Sequence, residues 1–283
     1  MNPDFHNIRK YFLGLLFLPG MTLIILSFFA VETLSIVLDE ARNIQLWSQS
    51  SWQHPLGTDG YGFDVYRFLL LAIKTDIQLF AIPILIFFLV GTTLGVGLSY
   101  MRGYANKIFD MLFNLLNSFP LVLLLLLLLI IVEGFFAGKD TFSKLFLLFN
   151  VYAVVSSSKL AIELRGKIES TNKKDFIESS KALGLSPLAI LIKHILYYNC
   201  RKTIVASTLH FISQLIFIEI TLAYLNLGAS GNVLTLGNMF TKYFPYINAF
   251  TTLDQWQVAV PSMLTIYLIL ILTLSTRNML RHE

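Results

Sequence analysis

The sequence has one cysteine, Cys200, in 283 residues. It cannot close an internal disulfide and offers no thiol cluster for a metal. Charge is also scarce, with 13% Asp, Glu, Lys and Arg against 55% apolar residues, more apolar surface than a soluble domain of this length can bury in one core. The 5 histidines are scattered without an H-E-x-x-H pattern, and no G-x-S-x-G elbow occurs, so metalloprotease and serine hydrolase chemistry find no residues. The run Gly134-Phe135-Phe136-Ala137-Gly138-Lys139 has the outline of a phosphate loop, but its glycines are too close together and no Ser or Thr follows the lysine. No catalytic site, metal or cofactor is expected in this chain.

The apolar residues, with a mean hydropathy of +0.69, are gathered in uncharged runs close to the roughly 20 residues a helix needs to cross a bilayer. These are Tyr11 to Val31, Ile77 to Met101, Met111 to Val132, the stretch from Thr203 that contains Glu219, and Gln255 to Thr276. A shorter run, Leu145 to Ser158, spans only if Lys144 and Lys159 snorkel to the two head-group layers. Arg9 and Lys10 precede the first run as in a signal peptide, but no A-x-A-like site follows Phe28-Phe29-Ala30, so a retained first helix is expected. The predicted fold is an all-α membrane protein with six transmembrane helices.

With both termini in the cytoplasm, only Arg42, Arg67, Lys74, Lys139, Lys144 and Lys242 of the 21 lysines and arginines lie outside, as retention of basic residues on the inner side requires. The net charge of +4 follows from that bias and gives no reason to expect a nucleic-acid partner. The resulting boundaries are a cytoplasmic N-terminus (1–10), a first helix (11–31), a first outer loop (32–76), a five-helix core (77–276) with a large inner loop (160–202), and a cytoplasmic C-terminus (277–283).

In the inner loop, Asp175-Phe176-Ile177-Glu178-Ser179-Ser180-Lys181-Ala182-Leu183-Gly184 predicts a short amphipathic helix closed by a left-handed glycine cap. Ser186-Pro187 then starts a second helix through Ile190, Lys193, His194 and Ile195. An amphipathic loop helix of this kind also suits the membrane surface.

This helix-turn-helix resembles the EAA loop of ABC importer permeases, and the D-F-I-E-S-S-K-A-L-G form followed by H-I-L is similar to the dipeptide/oligopeptide branch. Ser179 and Ser180 stand where alanines are usual, and Tyr197 where a proline is usual. His54-Pro55-Leu56-Gly57-Thr58-Asp59, Gly62 and Asp64-Val65 are similar to the branch's H-P-L-G-T-D-x-x-G-R-D-V segment, with Phe63 replacing the arginine. Gly103-Tyr104, Phe119-Pro120, the run Glu219 to Gly228, Trp256 and Pro261 extend the similarity in order. Asn106 and Asn114 depart from frequent aspartates, and the usual ending is missing after Arg277.

The resemblance implies a type I ABC importer permease of the bacterial inner membrane, a multi-pass subunit translocating peptides. It pairs as a heterodimer with a homologous B-type permease and works with two ATPase chains, which carry ATP and Mg2+, and an extracytoplasmic substrate-binding protein. It implies that Asp175, Phe176, Glu178, Lys181, Ala182, Leu183, Gly184 and His194 serve ATPase coupling, Glu178 making a charged contact. Nickel chelates, antimicrobial peptides and polyamines are alternative cargoes of similar permeases.

Gly91, Gly95 and Gly97 place small residues on one helix for close approach to a neighbour, and Pro83 is expected to kink that helix. Glu219 is costly in a membrane unless paired, neutral or beside water. With His210 and Gln214, one turn apart on the same helix, it is a candidate for the translocation pathway or a subunit interface. Glu219 and His210 are also the features that an ion-coupled secondary carrier would use. A non-transporting scaffold is the third alternative.

Overall fold

The computed structural model describes residues 22, 25–27, 46–101, 103–136, 138–229, 233–245 and 256–280. Its elements are α1 (Val65–Tyr100), α2 (Tyr104–Ser118), α3 (Leu121–Phe135), α4 (Thr141–Asn172), α5 (Asp175–Ala182), α6 (Pro187–Tyr224), α7 (Leu236–Tyr243) and α8 (Trp256–Leu280). Within α6, Ile190–Cys200 winds as a π-helix. Of the expected first helix, Tyr11 to Val31, only residues 22 and 25–27 are described, each of them helical, and the rest lies outside the described residues.

Four helices, Val65–Tyr100, Thr141–Asn172, Pro187–Tyr224 and Ala259–Met279, are long and apolar enough to cross a membrane. The run from Met111 to Val132, expected to cross as one helix, is instead broken. Asn106–Ser118 and Leu123–Phe135 meet at 96° and make a fifth candidate only as a bent pair. Phe119 before Pro120 is extended, at φ −70° and ψ 131°, because the proline ring excludes the helical region for the residue before it.

Two expected boundaries also move. The short run from Leu145 to Ser158 belongs to a 32-residue helix, about 48 Å long at 1.5 Å per residue, which continues past Lys159 into the stretch expected as inner loop. The helix expected from Ile77 begins at Val65, because Val65, Phe68, Leu69, Leu71, Ala72 and Ile73 are all buried in a core.

The chain divides into two compact units, the first being Met1–Phe80, Asp140–Leu145 and Ser213–Leu274. Its core joins the start of α1 to Leu236, Met239 and Tyr243 of α7, with Trp47, Leu56, Phe63, Leu264 and Leu268 packed against it. The segment before α1 is a folded loop. Asp64 accepts from the N–H groups of Tyr66 and Arg67 at 2.9 and 3.2 Å, capping α1, and its other oxygen is 2.8 Å from His54 Nδ1.

Asp59 closes the loop onto itself through the N–H groups of Tyr61 and Phe63, both at 2.9 Å. Its second oxygen accepts from Lys242 Nζ at 2.6 Å and Tyr243 Oη at 3.1 Å on α7. The Lys242 ammonium lies over the rings of Phe63, Tyr243, Tyr61 and Phe68, at 4.7, 5.1, 5.2 and 5.3 Å from their centroids, where ring faces attract a cation. Phe63, in place of the branch's arginine, is part of that cage.

Asp59→Ala is expected to destabilise the loop before α1 by about 3–5 kcal/mol, since it breaks a buried ion pair and also unties two loop N–H groups. Lys242→Met keeps an apolar stem among the rings but leaves the buried Asp59 carboxylate without its cation, and is also expected to cost about 3–5 kcal/mol. Apparent Tm in detergent measures both, and an unchanged Tm in Lys242→Met contradicts the assignment.

The second unit is Ala81–Lys139, Phe146–Ile212 and Ser275–Glu283. A Cβ on Gly91 would lie 2.7 Å from Leu160 Cδ2, and one on Gly95 3.0 Å from Leu164 Cβ, so these two glycines seat α1 directly on α4. Gly97 faces open space. Phe211 stacks between Phe87 and Tyr152, with centroids 4.1 and 5.8 Å away. Arg165 of α4 bonds Asp110 of α2 at 2.5 Å and Glu169 at 2.8 Å, and Ser207 donates to Glu163.

Candidate functional site

The segment from Asp175 to Ile195 lies wholly in the second unit and forms the helix, turn and helix that its residues predict. Helix α5 buries Ile177 and Ser180 and leaves Asp175, Phe176, Glu178, Ser179, Lys181 and Ala182 exposed. Ile177 packs in a cluster with Leu164, Ile168, Ile190, Ile195 and Cys200. Full burial of such a side chain contributes about 1.5–3 kcal/mol, so one isoleucine is the main anchor of the short helix to the body.

The two serines in alanine positions keep α5 intact by returning their hydroxyls to the helix. Ser179 Oγ donates to the Asp175 carbonyl at 3.1 Å and Ser180 Oγ to the Phe176 carbonyl at 2.7 Å, leaving neither hydroxyl without an acceptor.

The end of α5 is a Schellman motif. Gly184, at φ +77°, donates to the Lys181 carbonyl at 3.0 Å, and the Leu185 N–H reaches the Ser180 carbonyl at 3.3 Å. Ser186 then caps the next helix, its Oγ accepting from the Ala189 N–H at 3.3 Å, with Pro187 in the first turn. The angle between the two helices is therefore fixed by local hydrogen bonds.

Beyond the turn, Asn199 Nδ2 donates to the His194 carbonyl at 2.6 Å, five residues back, within the π-helical turn. His194 is half-buried with its ring 6.3 Å from Tyr198. Tyr197, in the usual proline position, is exposed beneath the Arg201 guanidinium at 5.6 Å.

What this segment turns outward is apolar as well as charged. Leu183 is 82% exposed and Leu188 67%, and Phe176, Leu185 and Ile192 are also exposed. An exposed apolar set of this kind, studded by Asp175, Glu178 and Lys181, suits a protein partner or the membrane surface.

The remaining candidates fall elsewhere. His210 is exposed and Gln214 half-buried on α6. Glu219 is only 2% exposed, in the first unit, where the Thr235 hydroxyl donates to it. Asp76 is buried in the same unit, accepting from the Leu236 N–H at 3.3 Å. Sequence reasoning missed Asp76, although a carboxylate at the border of an apolar run was a signal. It also missed Thr235, which follows the serine-, glycine- and asparagine-containing stretch from Ala229 and carries no distinctive pattern.

Residues 88–282, which include α5 and both of its turns, match the family described as binding-protein-dependent transport system inner membrane component. Among curated proteins, the chain is similar to the dipeptide transport system permease protein DppC of Alkalihalophilus pseudofirmus, with 25% identity over 91% of this chain and 80% of that protein. It is 25% identical to the glutathione transport system permease protein GsiD of Pectobacterium atrosepticum over 67% of this chain and 60% of that protein. It is 22% identical to the oligopeptide transport system permease protein OppC of Lactococcus lactis over 81% of this chain and 74% of that protein. With the family match covering well over half of its length, and the helices and loop turns in the order described, the chain belongs to the family of binding-protein-dependent transport system inner membrane components.

Proposed function

We propose that this chain is one of the two membrane-spanning subunits of an ATP-driven importer of peptides, with six spans, both termini in the cytoplasm and a home in the bacterial inner membrane. The observation that carries the reading is α5, held to its body by Ile177 and presenting Phe176, Glu178 and Leu183 outward, within a stretch that matches the family. The names of the relatives, all peptide or glutathione permeases, support peptides as cargo.

In this reading α5 lies in a groove of a separate ATPase chain, as an amphipathic helix does in a partner's apolar cleft. Two ATPase chains hold ATP and Mg2+, a homologous B-type permease completes the pathway as a heterodimer, and a substrate-binding protein delivers cargo from outside. Closure of the ATPase pair pushes α5. The Schellman turn and the Ser186 cap pass the push to α6 as a rigid-body movement. Asp175, Lys181, Ala182 and His194 complete the coupling segment, and the chain itself performs no chemistry.

Gly184→Val tests the lever. Its Cβ would meet nothing within 4 Å, so the cost is the backbone conformation alone, about 1–2 kcal/mol for a side chain in the left-handed region. The ATPases are expected to stay bound while transport per ATP hydrolysed falls several-fold, and Gly184→Asn is expected to retain more coupling because asparagine tolerates that region. Unchanged coupling in Gly184→Val contradicts the lever.

The proposal as a whole is tested by extracting the tagged chain in mild detergent and reconstituting it. Co-purification of a second permease and ATPase chains, with ATP-dependent uptake of a labelled dipeptide, is expected. Uptake that ignores ATP and follows a proton gradient overturns the proposal in favour of an ion-coupled carrier.

A further inference from the structure

Two buried acids in the first unit have no role in the lever. Asp76 of α1 and Glu219 of α6 are 3% and 2% exposed, and both meet the first turn of α7. One oxygen of each is engaged: Asp76 Oδ2 accepts from the Leu236 N–H at 3.3 Å, and Glu219 Oε1 accepts from the hydroxyl of Thr235, the residue that caps α7. The other oxygens, Asp76 Oδ1 and Glu219 Oε2, are buried and accept no well-aligned hydrogen bond among the described residues, the Gly237 N–H being the one further donor that bears on the Glu219 carboxyl group. Because Thr235 and Leu236 are adjacent, these two bonds bring the acids together at one end of α7. A Cβ on Gly237 would fall on the Glu219 carboxyl group, so the backbone of α7 closes directly over that acid.

Two ionised carboxylates with two unsatisfied oxygens are not stable in such a place, because burial of charge demands compensation. Among the described residues, no cation side chain bonds either free oxygen. Lys74 stands two residues before Asp76 and therefore points to another side of α1, while Arg67, further toward its start, lies 3.8 Å from Asp64. On α7, Lys242 and Tyr243 are both bound to Asp59. From Trp256 to Thr276, α8 carries no charged residue, its one titratable side chain being Tyr267. On α6 the nearest titratable neighbours in sequence are His210 and Tyr224.

Two ligands satisfy a pair of acids, a metal cation or a proton, and the surrounding groups decide between them. The start of α7 presents N–H groups and the Thr235 hydroxyl to the pair. These donors repel a cation but match one net negative charge. A single proton leaves that charge and gives each free oxygen a partner.

We propose that Asp76 and Glu219 form a proton-binding site, a carboxylic acid and a carboxylate sharing one proton between Asp76 Oδ1 and Glu219 Oε2, with the start of α7 as the counter-charge. Occupancy of the site seats α7. When the proton leaves to water, two like charges face each other beneath Gly237 and the first turn of α7 lifts.

Infrared difference spectroscopy of the full chain in its assembled complex, in lipid nanodiscs, tests the site without relying on transport. The expected signal is one buried protonated-carboxyl band that shifts on deuteration, disappears in Asp76→Asn and in Glu219→Gln, and is unchanged when sodium replaces potassium. A spectrum identical in wild type and both variants overturns the proposal, as does a band that only halves in each variant, which means two protons. A sodium-dependent signal assigns the site to a metal cation instead.

Should either variant fail to assemble, the test passes to Asn238→Cys in a Cys200→Ser background. Thiol labelling of the first turn of α7 is expected to rise several-fold over the same pH range in which the carboxyl band vanishes. Labelling that stays flat through that range overturns the proposal.

Discussion

Phe176→Glu combined with Leu183→Glu is expected to strip the ATPase chains from the complex and abolish ATP-driven uptake while leaving the chain folded in the membrane. Both side chains are exposed, Leu183 at 82% and Phe176 at 38%, so neither substitution removes a core contact. In a partner's groove they are desolvated, and residues that anchor such interfaces cost about 2 kcal/mol or more each when lost. The pair together amounts to a weakening on the order of a thousandfold. Glu178→Ala, which removes one rim charge, is expected to have a far smaller effect, because partly exposed ion pairs contribute about 0–1 kcal/mol. Quantifying ATPase chains retained by the tagged variants separates the cases, and full retention by the double variant contradicts the assignment of this surface.

Gly91→Leu is expected to prevent recovery of folded protein. A Cβ at that position already meets three atoms of Leu160 at 2.7–2.9 Å, including its Cβ, and Leu160 is fully buried, so it cannot swing aside. Overpacking a dense core costs about 1–3 kcal/mol for a few methylenes. Here a whole side chain must force α1 and α4 apart, and at Gly95 the Ala161 carbonyl stands 3.1 Å from the same kind of addition. Gly97→Leu is the control, since nothing lies within 4 Å of a Cβ there. Size-exclusion profiles of fluorescently tagged variants are expected to show aggregate for Gly91→Leu and a normal peak for Gly97→Leu.

The features of the fold legible in the sequence are those set by local chemistry. Gly184 and Ser186-Pro187 announce a cap and a helix start because only neighbouring backbone groups decide them, and they stand as expected. Gly91 and Gly95 are likewise readable as contact points, although the partner helix is not. Hydropathy failed where polar residues find partners. Helix α4 runs on past Lys159 through Glu163, Arg165 and Glu169, and Ser207, Asp110 and Glu169 itself engage those charges, so the apolar run is shorter than the helix.

Phe119-Pro120 could have been read as a break, but the apolar composition on both sides overrode it. The Asp76, Thr235 and Glu219 cluster was beyond reach. It joins residues 160 positions apart, and no spacing rule connects them. The residues proposed for coupling all fall on one segment of the sequence, but which of them face out depends on Ile177 and the residues it packs against.

Thiol cross-linking from Leu183→Cys in a Cys200→Ser background tests the central claim most directly, since Cys200 is buried and its replacement leaves one reactive site. A cross-link to an ATPase chain, with no labelling of that position by an impermeant reagent added outside intact cells, is the expected result. Labelling from outside, or cross-links to lipid alone, contradicts the claim that Asp175 to Ile195 is the handle by which ATP hydrolysis moves this subunit.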